Sequence, residues 1–114
     1  MDADVREALY RRTNGYCDVC GLVMAEDEMA AHHRKRRSQV GGWNLANLLG
    51  CHHGCHNLGT RSIHANPYWA HRYGYLLMSW EPDSKPVFLH HAYWVQLHDD
   101  GQVEYLAESY EGEA

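Results

Sequence analysis

The sequence predicts a small α+β domain, clamped by metal at its centre and extended by β-structure towards its C-terminal end. Three observations predict it. The chain has 114 residues, enough for one compact domain and too few for two. A domain of this size buries roughly 60–70% of its unfolded surface, so a bound metal would supplement a modest core. Four cysteines occur behind an N-terminus, MDADVREALYRR, that carries no apolar leader, and reduced thiols in such a chain favour metal ligation over disulfides. After Gly74 the residues become β-branched and aromatic, as strands require. No apolar run approaches the ~20 residues of a membrane span, so the expected setting is the cytoplasm.

The elements follow in order. Val5, Ala8 and Leu9 recur at helical spacing behind Asp2 and Asp4, and Asn14-Gly15 supplies a stop, which predicts a helix over residues 4–13. Cys17 and Cys20 then sit on a tight turn, CDVCG. Met29–His33 reads as a short strand, RKRRSQVGGWN as a polar loop broken at Gly41-Gly42, and Leu45–Gly50 as a second short apolar run. Cys55–Gly59 reads as a turn or the opening of a helix. Pro67 at a first-turn position predicts a helix over 66–73, ending at Gly74. Strands are expected over 75–80, 87–97 and 103–106, with Asp99-Asp100-Gly101 as the hairpin turn between the last two.

The net charge of -5 conceals a strong segregation. Residues 1–29 carry a net of -4 and residues 81–114 a net of -7, whereas residues 30–80 contain no acid and carry +6. Seven of the ten histidines share that basic stretch. A local positive field of this kind suits a polyanion even on an acidic protein; the competing reading is a solvated loop with ordinary surface arginines.

Cys17-x-x-Cys20 is half of a tetrahedral zinc site, because a two-residue spacer lets two thiolates reach one ion from a single turn. The other half lies in GCHHGCHN, where Cys55 can pair with Cys51 or with His52. Reactive chemistry must come from elsewhere, and His32, His33, Asn47 and His56 are the candidates. Adjacent strand residues point to opposite faces, so His32 and His33 cannot both ligate one ion from a regular strand; one can bind metal while the other accepts a proton where the strand end twists or bulges.

The run AAHHRKRRSQVGGWNLANLLGCHHGCHN resembles the HNH nuclease motif, in particular that of small phage and bacterial HNH endonucleases. The matching elements are His32-His33, Gly41-Gly42, Asn47-Leu48 and Cys55-His56, in order, and the resemblance covers about residues 15–75. It implies a zinc-stabilised ββα-metal core over that stretch; the strands read after it add a β-rich C-terminal extension over about 75–110, and the chain length makes the whole one domain over 1–114. It implies hydrolysis of DNA phosphodiester bonds, with His33 as general base, Asn47 orienting it, and His32 and His56 ligating a catalytic divalent ion. His64 is a further candidate ligand. Arg34, Lys35, Arg36 and Arg37 would grip phosphates, and a site of imidazoles admits Mn, Ni or Zn beside Mg. For the structural zinc, a set of Cys17, Cys20, Cys51 and Cys55 is preferred to one using His52, because it employs every cysteine and Gly54 can absorb the extra residue. A second Asn-Leu pair, Asn44-Leu45, offers a weaker register for the motif's asparagine. A phage-encoded chain of this kind would work in the host cytoplasm. The competing reading is a zinc-clamped, non-catalytic DNA-binding or adaptor module of a larger nucleic-acid machine, with the C-terminal aromatic strands as a protein-binding surface.

Overall fold

The structure is a computed structural model that describes residues 2–39 and 41–106. It is an α+β fold with two small antiparallel sheets. Helix α1 (Ala3–Thr13) starts at Asp2, whose carboxylate accepts the Asp4 N–H at 2.7 Å, and ends on Asn14 in the left-handed region at φ 55°. Both signals lie where the sequence puts them. Leu9 and Thr13 are the residues α1 buries.

Strands β1 (Met29–His33) and β2 (Leu48–His52) pair antiparallel in the register Met29↔His52, Ala31↔Gly50 and His33↔Leu48. Paired residues share a face, so His52, Gly50 and Met29 lie on one side while Cys51, Ala30, Leu49 and His32 lie on the other. α1 packs on the first of these faces. A Cβ on Gly50 would stand 2.7 Å from the Met29 sulfur and 2.9 Å from the Thr13 methyl, so glycine permits that approach. The Gly50 N–H donates to Asp18 at 2.8 Å, and its carbonyl accepts from the Asp18 N–H at 2.9 Å. These two bonds join the cysteine turn to β2.

Between the strands, residues 34–39 and 41–47 fold back on one another, with the Gly41 N–H on the Arg36 carbonyl at 2.9 Å. At Gly41 a Cβ would lie 1.7 Å from the Lys35 carbonyl oxygen, which explains the glycine there. After β2 the chain forms a short π-helical turn, Gly54–Leu58, and then helix α2 (Pro67–Arg72). The second sheet has the order β3 (Val87–Leu89), β4 (Tyr93–Leu97), β5 (Val103–Tyr105).

Two expectations need correcting. Residues 75–80 form no strand. Tyr75, Leu76 and Leu77 are buried as the apolar run suggested, but the N–H groups of Tyr75 and Leu76 bond back to Ala70 and that of Leu77 bonds to the Arg34 carbonyl, leaving no ladder to build. The stretch 87–97 is two strands, reversed at His90-His91, both with positive φ (59° and 54°).

Val87, Leu89, Val95 and Leu97 of the second sheet join the same buried cluster as Leu9, Met29, Leu48 and Leu49. One core therefore runs through both sheets, and the inward face of the extension is packing surface. On its other face Phe88 and Trp94 stack with Tyr73, with ring centroids 5.2 and 6.1 Å from that tyrosine. Among the described residues no helix is long and apolar enough to cross a membrane.

Candidate metal centres

The fold gathers two clusters of ligand-bearing side chains. In the first, Cys17, Cys20, His52 and Cys55 bring one sulfur or nitrogen each to within 4.8 Å of one another. The turn after α1 shapes half of it. The Cys17 N–H bonds to the Leu22 carbonyl and the Gly21 N–H to the Cys17 carbonyl, each at 2.9 Å. The backbone N–H groups of Cys20 and His52 both point at the Cys17 sulfur at 3.5 Å. His52 Nε2 stands 3.0 Å from the Val23 carbonyl, which can only accept, so the proton resides on Nε2 and the Nδ1 lone pair faces the Cys20 sulfur at 3.4 Å.

This arrangement corrects the choice of Cys51. Pairing places Cys51 beside Ala30, on the face opposite His52, where it is fully buried among apolar residues. Cys17 and Asp18 meet the backbone of His52 and Gly50 along the edge of β2, and the cluster takes the His52 side chain while Cys51 projects to the opposite face. Burial pushes the Cys51 thiol up, as befits an inert packing sulfur. The three clustered thiols behave differently. A hydrogen bond with Cys55 pulls Cys17 down to about 4, and the same bond pushes Cys55 up, while burial raises Cys20. A tetrahedral ion with bonds of about 2.0–2.3 Å needs ligand atoms roughly 3.3–3.8 Å apart, and three sulfurs with one imidazole in this compass can hold a metal ion such as zinc.

The second cluster is His32, His56 and His64, whose ligand nitrogens again lie within 4.8 Å. They come from β1, from the π-helical turn and from the segment after it. The His64 N–H bonds to the His56 carbonyl at 3.1 Å and the Ile63 N–H to that of Cys55 at 2.8 Å, which folds the segment back alongside the turn. His56 and His64 hold their Nε2 atoms 3.0 Å apart. Buried His32 puts Nε2 2.6 Å from the Tyr75 carbonyl, so that nitrogen is the donor and Nδ1 is left as the ligand atom. Burial lowers His32 to about 3 and His56 to about 4; His64 is lowered by burial and then by the charge of Arg36. Burial thus disfavours the charged form of all three imidazoles, which suits them to a cation.

His33 follows His32 at the strand end, its ring edge-on to Trp43 at 4.2 Å between centroids. Asn47 is buried, and its amide bonds the backbone of the loop: Oδ1 accepts from the Lys35 N–H at 2.7 Å, and Nδ2 donates to the carbonyls of Lys35 and Gly42 at 3.0 Å. It thus fixes the chain leaving His33, where the sequence reading had it hold the imidazole itself.

Arg34 also departs from expectation. It is fully buried and donates to the carbonyls of Gly74, Ala46, Asp83 and Lys85 at 2.6–2.9 Å. Burial lowers it to about 10, still charged at neutral pH. A guanidinium so committed cannot grip phosphate. Lys35 is half-buried and Arg36 exposed, near His64; the side chain of Arg37 lies outside the described residues.

Three participants escaped the sequence reading. The Tyr75 carbonyl that orients His32 is a backbone group without a sequence signature. Trp43 lay in plain view in GGWN, but nothing local aims it at His33. Arg12 donates to the carbonyls of Leu45 and Leu48 at 2.6 Å and to Asp18 at 3.1 Å, both side chains being buried, and so anchors the cysteine turn to β2. Compared with family models, curated proteins and solved structures, the chain matches none.

Proposed function

We propose that this chain is a metal-dependent endonuclease of the HNH type, hydrolysing DNA phosphodiester bonds on a ββα-metal core clamped by a structural zinc. The observation that carries the reading is the convergence of His32, His56 and His64, from three separate segments, with His33 next in sequence to the buried ligand. The β1–β2 hairpin, with the π-helical turn after it, supports the reading. Cys17, Cys20, His52 and Cys55 fit zinc, since three soft thiolates and one imidazole match its preference.

His32, His56 and His64 would hold the catalytic divalent ion, which when bound offsets negative charge developing on the phosphate and the leaving oxygen. Three neutral imidazoles favour Zn, Ni or Mn over Mg. His33 takes a proton from the attacking water as the new O–P bond forms and the bond from phosphorus to the 3' oxygen breaks. Trp43 limits the swing of that ring. Asn47 fixes the loop that carries Lys35 and Arg36, whose charges meet the flanking phosphates without reading sequence.

The test is incubation of the purified protein with supercoiled plasmid and a series of divalent ions, beside His33→Ala. Cleavage should require an added ion and fall by about 10²–10⁴-fold in the variant, with binding of DNA retained. Equal cleavage by His33→Ala and the parent would move the base elsewhere. No cleavage with any ion, together with tight DNA binding, would favour the binding-module reading.

A further inference from the structure

A cavity of about 570 Å³ opens beside the cysteine cluster, lined by Val19, Trp69, Arg61, Asn66 and His91, with Cys20 and Cys55 at its edge. Sites for small organic ligands usually have this size and this mixture of apolar wall and few polar groups. Trp69 is a fixed wall, held by the rings of Tyr73 and Tyr75 at 5.7 and 5.2 Å. Arg61 is exposed and, among the described residues, has neither a hydrogen-bond nor an ion-pair partner; no acid lines the cavity. Both donor bonds of the Asn66 amide go to backbone, to the carbonyls of Thr60 and Ser62 at 2.9 Å, which leaves Oδ1 as an open acceptor of known orientation. His91 stands at the second central position of the β3–β4 turn, closed by the Ala92 N–H on the Leu89 carbonyl at 2.9 Å. With φ at 59° and 54° on His90 and His91, this turn is one that Asn-Gly forms at least cost. An imidazole there is bought with backbone strain.

We propose that this cavity binds one nucleotide of a nucleic-acid strand, with Arg61 and His91 on its phosphate, Trp69 against the base and Asn66 Oδ1 accepting from a base N–H. The choice of a nucleotide over other aromatic anions rests on the endonuclease reading. An unpaired guanidinium calls for an anion, a fixed indole for a flat ring, and a lone amide oxygen for a ring donor. A nucleotide joins all three, and stacking on an aromatic side chain is how splayed bases are commonly held.

The experiment is calorimetric titration of the intact zinc-loaded protein with AMP, adenosine and inorganic phosphate, repeated for Arg61→Ala and His91→Gly. AMP should bind at least about tenfold more tightly than either fragment, and Arg61→Ala should weaken it about tenfold or more, as expected for one charge-assisted bond. His91→Gly should bind AMP more weakly yet melt higher, because glycine relieves the turn; a residue serving structure alone would not move these two readouts in opposite directions. A short single-stranded oligonucleotide should displace AMP. Phosphate binding as tightly as AMP, or AMP binding unchanged in both variants, would overturn the proposal, and AMP that the oligonucleotide fails to displace would overturn the strand as its source. Plasmid cleavage measured on the same preparations separates the two readings. Cleavage without AMP binding refutes the nucleotide site alone, and AMP binding without cleavage refutes the endonuclease alone.

Discussion

Replacing Arg34 with methionine separates a structural arginine from a DNA-binding one. Methionine preserves most of the apolar stem and removes the guanidinium, which donates to four carbonyls. Gly74 and Ala46 are buried, whereas Asp83 and Lys85 are half-buried and regain water. Two buried carbonyls left without a donor cost about 1–3 kcal/mol each, and the two outer ones less, so the loss should be about 4 kcal/mol. A domain of this length has a total stability of about 6–17 kcal/mol, and the same loss corresponds to a drop of about 15 °C in Tm. Urea unfolding followed by tryptophan fluorescence measures it. The reasoning fails if Arg34→Met unfolds at the parent's midpoint while its affinity for DNA falls, since that would return Arg34 to the phosphate-binding loop.

His52→Ala should lose the structural metal and most of its folded population, whereas Cys51→Ala should keep one zinc per chain and lose only about 1 kcal/mol; elemental analysis with thermal melting decides between them, and the opposite pattern would restore the four-cysteine site. Chelation of the purified protein should lower Tm by about 10 °C or more, since the cluster's binding energy is folding energy, and an unchanged melt would refute a structural metal. Asn47→Ala should cut cleavage by about 10–100-fold with the metal content unchanged, as read by plasmid nicking and elemental analysis. Replacing Lys35 and Arg36 together with alanine should weaken binding to all sequences alike and flatten the salt slope by about one unit per lost phosphate contact; a change in preference for one sequence would show instead that a base edge is read.

Local chemistry was legible in the sequence. The cap at Asp2, the stop at Asn14, β1 with its bounds, Pro67 opening α2 and the hairpin at Asp99–Gly101 all follow from short-range rules, and the structure has them in place. His32, His56 and His64 were named through the resemblance to the HNH motif, and the structure brings these three imidazoles together. What stayed hidden depends on long-range facing. The choice between Cys51 and His52 turns on which side of β2 carries the cysteine cluster, and that is not written at either position. Arg34 looked like its three basic neighbours, and only the carbonyls of segments forty to fifty residues away show it to be interior. The run 75–80 is apolar for burial, and its amides were already spent on Ala70 and Arg34.

The π-helical turn ties the two clusters to each other. Cys55 and His56 are consecutive, their Cα atoms about 3.8 Å apart, yet one belongs to the sulfur cluster and the other to the imidazole cluster. Neither can be placed without placing the other. On the endonuclease reading proposed above, an ion held at the cysteines would also set the geometry of the imidazole cluster, so the two sites would be gained or lost together.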